Sequence, residues 1–374
     1  MNAESTRARS RRYSAVKARF FAADLIIMVV SLVIFQLFLS RPVSRFALGL
    51  YASFYANCFV YTCVFLLFVY IAGFPLHMAG SFFLERRFGL SDRSFGSWMT
   101  DEAKSVALSF ALWMVCVEVF YLVLRNFPAN WWMIAAFLWI FFTVVLARFL
   151  PVFLIPLFYK YLPIEDEPLK ERIVSLADAA GIRLMDVCQI DLSRKTKKAN
   201  AALVGLGKTR KVILADTLMK GFTPDEVGTV VAHELGHFKY RHIWQLLAFS
   251  GALTLAGFFL FSRVADRIAA ITGANGISDL YLLPALVLIA CVAGIAILPV
   301  QNLFSRILEK QADKFALRLT GNDTASFISV MKKLADMNLA EIDPSALKKI
   351  FLYSHPPIGE RIRMAEEMQG AHDR

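Results

Sequence analysis

Residues 25–39, LIIMVVSLVIFQLFL, contain no charged side chain, and similar apolar runs recur along the chain. They cover about residues 20–40, 55–79, 105–125, 131–160, 243–262 and 280–303. A helix of about 20 apolar residues crosses a ~30 Å hydrocarbon layer. Each of these runs is long enough for such a helix. Composition agrees: 57% of the 374 residues are hydrophobic and 19% are charged, against about 45–50% and about 25% in soluble domains. The expectation is a mainly α, polytopic membrane protein with six spans. The fourth run is long and holds Pro151 and Pro156, so its inner end should kink or form a separate helix.

The net charge of +11 would point to nucleic acid in a soluble protein. Here its distribution gives another reason. The N-terminus, the loop 81–104 and the segment 160–242 are rich in Lys and Arg, whereas 41–48, 126–130 and 263–279 are poor. The positive-inside rule puts the rich side in the cytoplasm, with both termini, in a bacterial inner membrane or an ER-type membrane. No basic face interleaved with stacking aromatics is found, so no nucleic-acid partner is expected. Arg7, Arg9, Arg11, Arg12, Lys17 and Arg19 precede the first run as in a signal peptide, but no small-x-small site follows, and a retained span is expected. The five cysteines form no CxxC pair and read as buried small side chains.

The spans divide the chain into a transmembrane bundle at 1–160, a cytoplasmic segment at 161–242, a helix pair at 243–303 and a helical C-terminal segment at 304–374. In the second of these, an amphipathic helix opens near Glu165, with Leu169, Ile173, Leu176 and Ala177 along one face. Residues 199–205 and 211–215 read as two strands turning near Gly207, a small β-hairpin. Thr223-Pro-Asp-Glu226 combines a capping box with proline at the first helical position. The helix it starts should run to about His242.

That helix carries VVAHELGHFKY, residues 230–240. Residues four apart share a helix face, so His233 and His237 can reach one zinc ion. Glu234 points about 100° away, off the ligand face, where it can take a proton from a water polarised by zinc. The bland alternative is a polar patch on a capped, half-buried helix. A catalytic zinc takes three protein ligands and leaves one position open. His242 is near in sequence, but no glycine between Phe238 and Arg241 turns the chain back, and it reads as a helix-end or interface residue. In SRILEKQADKFAL, residues 305–317, Glu309 can bind zinc, and Asp313 one turn later can fix a ligand histidine. The alternative there is a solvated charged face with Lys310 and Lys314. Glu118, inside the third span, faces a polar interior, as a structural hydrogen-bonding group or as a cavity lining.

The order of these features, HELGH, two spans, then an E-x-x-x-D helix, resembles the M48 zinc metallopeptidases and more closely the Ste24-type CAAX prenyl proteases. LERRFGLS at 84–91 with Asp101 and Lys104 downstream, LIPLFYKYLPIEDEPLKERI, NAALVGLGKTRKVILADTL and HPPIGERI fit the same family. The resemblance implies one zinc ion on His233, His237 and Glu309, with Glu234 as general base and a zincin-like catalytic segment. It also implies that Asn200 and Ala201 lie on a strand beside the bound peptide, and that His355 and Arg361 contact substrate and the developing oxyanion. Eukaryotic members have seven spans, so six to seven transmembrane helices are expected here.

The function expected is therefore an integral-membrane zinc endopeptidase. Its substrate is a peptide or protein, lipidated or not, met among membrane lipids. CAAX-type prenylated C-termini are one substrate class, and misfolded or signal-derived membrane peptides are the other. A metal-bearing transporter would need polar residues repeated in several spans, and few are present. An inactive scaffold would have no use for Glu234.

Overall fold

The computed structural model describes residues 3–149, 155–204 and 210–372. The first apolar run lies in α1 (Ala3–Ile34), which passes through a π turn at Phe35–Leu39 and continues helically to Leu48. Then come α2 (Phe54–Met78), α3 (Phe95–Asn126) and α4 (Trp131–Phe149). Serines cap two of these starts: Ser53 accepts from the Ala56 amide and Ser94 from the Ser97 amide. Residues 150–154, with the expected break at Pro151, and 205–209, with the expected turn near Gly207, lie outside the described residues. Pro156 falls in a single helical turn, Ile155–Phe158.

Among the described residues five helices are long and apolar enough to cross a membrane, and α4 is a shorter apolar helix. In each of the five, between 6% and 22% of the most apolar stretch is buried within the chain. A water-soluble bundle could not leave that much apolar surface open. Leu37, Phe38, Phe141 and Leu260 point outward. Phe35, Tyr61, Phe65, Tyr121 and Leu280 pack inward as a core that ties α1, α2 and α3 to the later spans.

The polar segment folds on a four-stranded sheet with strands β1 (Tyr161–Pro163), β2 (Asp186–Ile190), β3 (Ala201–Val204) and β4 (Lys211–Ala215) in the order β1-β2-β4-β3. The hairpin is antiparallel as expected, with Ala202 opposite Ile213. It is half of a larger sheet, because β2 pairs parallel with β4, Val187 opposite Val212. Beyond it stand α5 (Glu167–Ala179) and α6 (Pro224–Lys239). The capping box on α6 is complete in both directions. α6 stops at Lys239 rather than at His242, and α7 (His242–Thr272) begins at once. Arg241 makes the break: it adopts φ 55°, ψ 39°, a left-handed conformation unusual for a residue with a Cβ. α8 (Leu283–Leu319) holds the last apolar run and also Glu309 and Asp313 beyond it, so one helix carries both.

The chain closes with α9 (Thr324–Asn338), α10 (Ala346–Leu352) and α11 (Ile358–His372). One apolar core unites segments far apart in sequence: Ile173 of α5, Val212 and Leu214 of β4, Val231 and Leu235 of α6, Leu317 of α8, Phe327 of α9 and Ala365 of α11. The described residues of 161–239 and 304–372 thus share a common interior.

Candidate active site

α6 and α8 lie against each other, and glycine sets how close they come. A Cβ on Gly236 would stand 3.1 Å from Ala312 Cα and 3.2 Å from Ala312 O. Every residue but glycine would push the helices apart. That approach brings the HELGH face onto Glu309 and Asp313.

The donor atoms of His233, His237 and Glu309 all lie within 4.8 Å of one another. The Nε2 atoms of the two histidines face each other at 3.1 Å. Glu309 Oε1 is 3.3 Å from His237 Nε2, and Glu309 Oε2 is 3.3 Å from His233 Nε2 and 2.7 Å from His355 Nδ1. Buried Glu309 Oε2 nevertheless has no aligned hydrogen bond. Two imidazole lone-pair positions and a carboxylate converge without satisfying one another, which is what a divalent cation with nitrogen and oxygen ligands needs. The residues present therefore fit a zinc-type metal.

The surroundings fix the first of these rings. His233 Nδ1 lies 2.8 Å from Asp313 Oδ1, so Nδ1 donates and Nε2 is left for the centre. Burial by itself would lower the His233 pKa, but Asp313 and Glu309 outweigh it and raise it to about 9. The pocket thus favours positive charge. Arg361 grips Asp313 from behind, Nε to Oδ2 at 2.8 Å. Burial works against its charge, yet Asp313, Glu309 and Glu234 hold its pKa above the ordinary value.

The residues singled out in the sequence fall into three places. His233, His237, Glu309 and His355 meet at the centre, with Asp313 and Arg361 directly behind His233. Glu234 is half-buried on the same turn of α6. Asn200 and Ala201 open β3, the sheet edge beside α6; the Asn200 carbonyl accepts from the Ala215 amide, and its side-chain oxygen from the Ala201 amide. Arg361 departs from the expectation in one respect: two of its nitrogens are occupied by Asp313. Glu118 stands apart on α3, half-buried.

Sequence reasoning missed three residues that shape the site. Asn302 donates to the carbonyls of Ile350 and Phe351 at 3.0 and 3.1 Å. Arg306 donates to those of Lys349 and Tyr353 at 2.9 and 2.7 Å. Both are buried, and together they satisfy the open carbonyls at the end of α10 and hold the segment leading to His355. Their four-residue spacing on α8, continuous with Glu309 and Asp313, was the available signal. The third, Gln311, lies against His242, which stands behind His237 at the helix end expected of it.

Comparison with known proteins gives two family matches that together cover nearly the whole chain. Residues 163–369 match peptidase family M48, and residues 2–160 match the CAAX prenyl protease N-terminal region, described as five membrane helices. The chain is 31% identical over 288 residues to the uncharacterized metalloprotease YhfN of Bacillus subtilis, covering 76% of this chain and 67% of that one. It is 28% identical over 316 residues to CAAX prenyl protease 1 of Saccharomyces cerevisiae, covering 77% and 67%. Among solved structures, that of S. mikatae Ste24p superposes with a TM-score of 0.86 at 26% identity, over 98% of this chain and 90% of that one.

Proposed function

The chain belongs to peptidase family M48, and from that premise we propose that it is a zinc endopeptidase that cuts CAAX-type, prenylated C-terminal peptides at the cytoplasmic face of its membrane. It is a multi-pass membrane metalloprotease acting on peptide or protein substrates. Zinc as the ion, prenylation of the substrate and the cytoplasmic placement are the proposed parts.

His233, His237 and Glu309 hold the ion in this reading, and Asp313, backed by Arg361, keeps His233 in the tautomer that leaves Nε2 free. When bound, zinc supplies Lewis acidity that polarises the scissile carbonyl and makes the attacking water more acidic. Glu234 takes the proton from that water and passes it to the leaving amine. The free edge of β3, opened by Asn200 and Ala201, pairs with the extended substrate through backbone hydrogen bonds. His355 stands beside Glu309, where it donates to the oxyanion as negative charge develops. Arg361 reaches the substrate less directly than His355, because its fork is held by Asp313.

The observation that carries this reading is the convergence of the His233, His237 and Glu309 donor atoms within 4.8 Å beside an edge strand. The names of the relatives support the substrate class, and the basic loops support the sidedness. The test is metal analysis of purified protein and of His237→Ala and Glu309→Ala, with cleavage of prenylated, unprenylated and unrelated membrane-anchored peptides. One zinc per chain, lost in both variants, with preference for the prenylated peptide, is expected. Full zinc in either variant would remove the ligand assignment. Equal cleavage of all three peptides would favour a general membrane-protein quality-control protease.

A further inference from the structure

His242 is 1% exposed, and its two ring nitrogens are both engaged. Nδ1 lies 2.9 Å from His237 Nδ1, and Nε2 lies 3.2 Å from Gln311 Oε1. The Tyr240 ring stacks on it at 5.7 Å, and the left-handed Arg241 between α6 and α7 turns it back toward His237.

The direction of this chain of hydrogen bonds follows from what each atom can do. A carboxamide oxygen only accepts, so His242 Nε2 must carry the hydrogen. A neutral imidazole has one N–H, so His242 Nδ1 presents a lone pair. His237 Nδ1 must then donate to it. His237 Nε2 is left with its lone pair, and that is the nitrogen facing His233 Nε2 and Glu309. Asp313 does the same for His233, but as a single acceptor in direct contact.

We infer that Gln311 and His242 form a two-step relay that fixes the tautomer of His237, making both of them positioning residues for the metal centre. The inference rests on the zinc reading above. It accounts for the non-glycine left-handed turn at Arg241, since such a strained residue persists where its surroundings require it. It also explains why His242 lies so near the histidine pair without joining their ligand group.

Gln311 is exposed on α8, so its polarity can be changed without opening the core. The test measures zinc release from the full-length protein in detergent into an excess of chelator at one fixed pH. Gln311→Glu keeps an acceptor, Gln311→Met removes it at similar size, and Gln311→Lys replaces it with a donor. A lysine donor demands a lone pair on His242 Nε2, moves the hydrogen to Nδ1 and turns His237 the wrong way round. Lys314→Glu, also exposed on α8, controls for charge alone. The expected order of release is Glu no faster than wild type, Met faster, and Lys fastest, by about 10–100-fold over wild type. Melting temperatures should stay together across the series. Equal release by Met, Lys and wild type would overturn the relay, as would a change in Lys314→Glu as large as that in Gln311→Lys. A wild-type protein that binds no zinc would instead remove the reading beneath it.

Discussion

Arg361 holds Asp313 through two nitrogens, Nε to Oδ2 at 2.8 Å and a terminal nitrogen to Oδ1 at 2.5 Å, while Asp313 itself is fully buried. The guanidinium thus sits three contacts from the proposed metal position, through Asp313 and His233. Only a planar fork can make both bonds at once. Arg361→Lys should keep the charge, lose the second bond and speed zinc release by about tenfold. Arg361→Ala leaves a buried carboxylate without its counter-charge, which costs about 3–5 kcal/mol when a buried pair is broken. Melting curves and zinc-release rates of the two variants check this. Wild-type zinc retention in Arg361→Ala would show that Asp313 orients His233 unaided.

Glu234→Gln separates chemistry from structure. The substitution keeps size and removes the base, so fold and zinc content should be unchanged while turnover falls by about 10²–10⁴. Metal analysis and peptide cleavage on the same preparation decide it. Cleavage near the wild-type rate would mean that another group handles the proton.

Gly236→Ala adds one methyl where α6 meets α8, with Ala312 Cα 3.1 Å away. No ligand is touched, yet the helices must part. Overpacking of this kind costs about 1–3 kcal/mol. Zinc affinity should fall together with melting temperature, because Glu309 moves away from the two histidines. A loss of stability with unchanged zinc affinity would mean that the strain relaxes elsewhere.

Glu226 sets an acid limit on the helix that carries the histidines. Burial would raise its pKa, but Lys333, Ser329 and the Thr223 amide outweigh this and lower it below the ordinary value of 4.5. A carboxylate with a depressed folded pKa stabilises fully above its unfolded value and loses that contribution as pH falls through the folded one. Melting temperature should therefore decline below about pH 4.5 in the wild type. Glu226→Gln should start lower at neutral pH and decline less. Parallel curves for the two proteins would rule Glu226 out as the source.

Sidedness has its own test. In a background without the five native cysteines, Lys197→Cys and Pro128→Cys are labelled with a membrane-impermeant thiol reagent. Pro128→Cys should react in intact cells, and Lys197→Cys only after permeabilisation. The reverse pattern would place the active site on the other face.

What could be read from the sequence was what depends on neighbours along the chain. The apolar runs, the capping box at Thr223 and Glu226, and the four-residue pairs His233/His237 and Glu309/Asp313 all follow from helical or span periodicity. The partner of Asp313 could not be read that way, since Arg361 arrives from a separate helix and nothing local marks the meeting. His242 begins α7 and stays outside the ligand group, as its spacing suggested; what could not be read is that Arg241 turns the chain without glycine and sets His242 against His237. β1 has three residues, too few to show alternation, and β2 pairs parallel with β4, which is not the next strand in sequence.

α8 rises from the apolar run ending near Leu303 straight into Glu309, which stands about 9 Å further on at 1.5 Å per residue. α7 begins at His242, directly behind His237, and leads back into an apolar run. In the proposed function the cutting position is thereby mounted on stiff posts at a set height beyond the apolar stretches of α7 and α8. Such an enzyme measures reach as well as side chains. A bond a few residues from a membrane tether arrives at that height without effort, and one far out on a folded soluble domain does not.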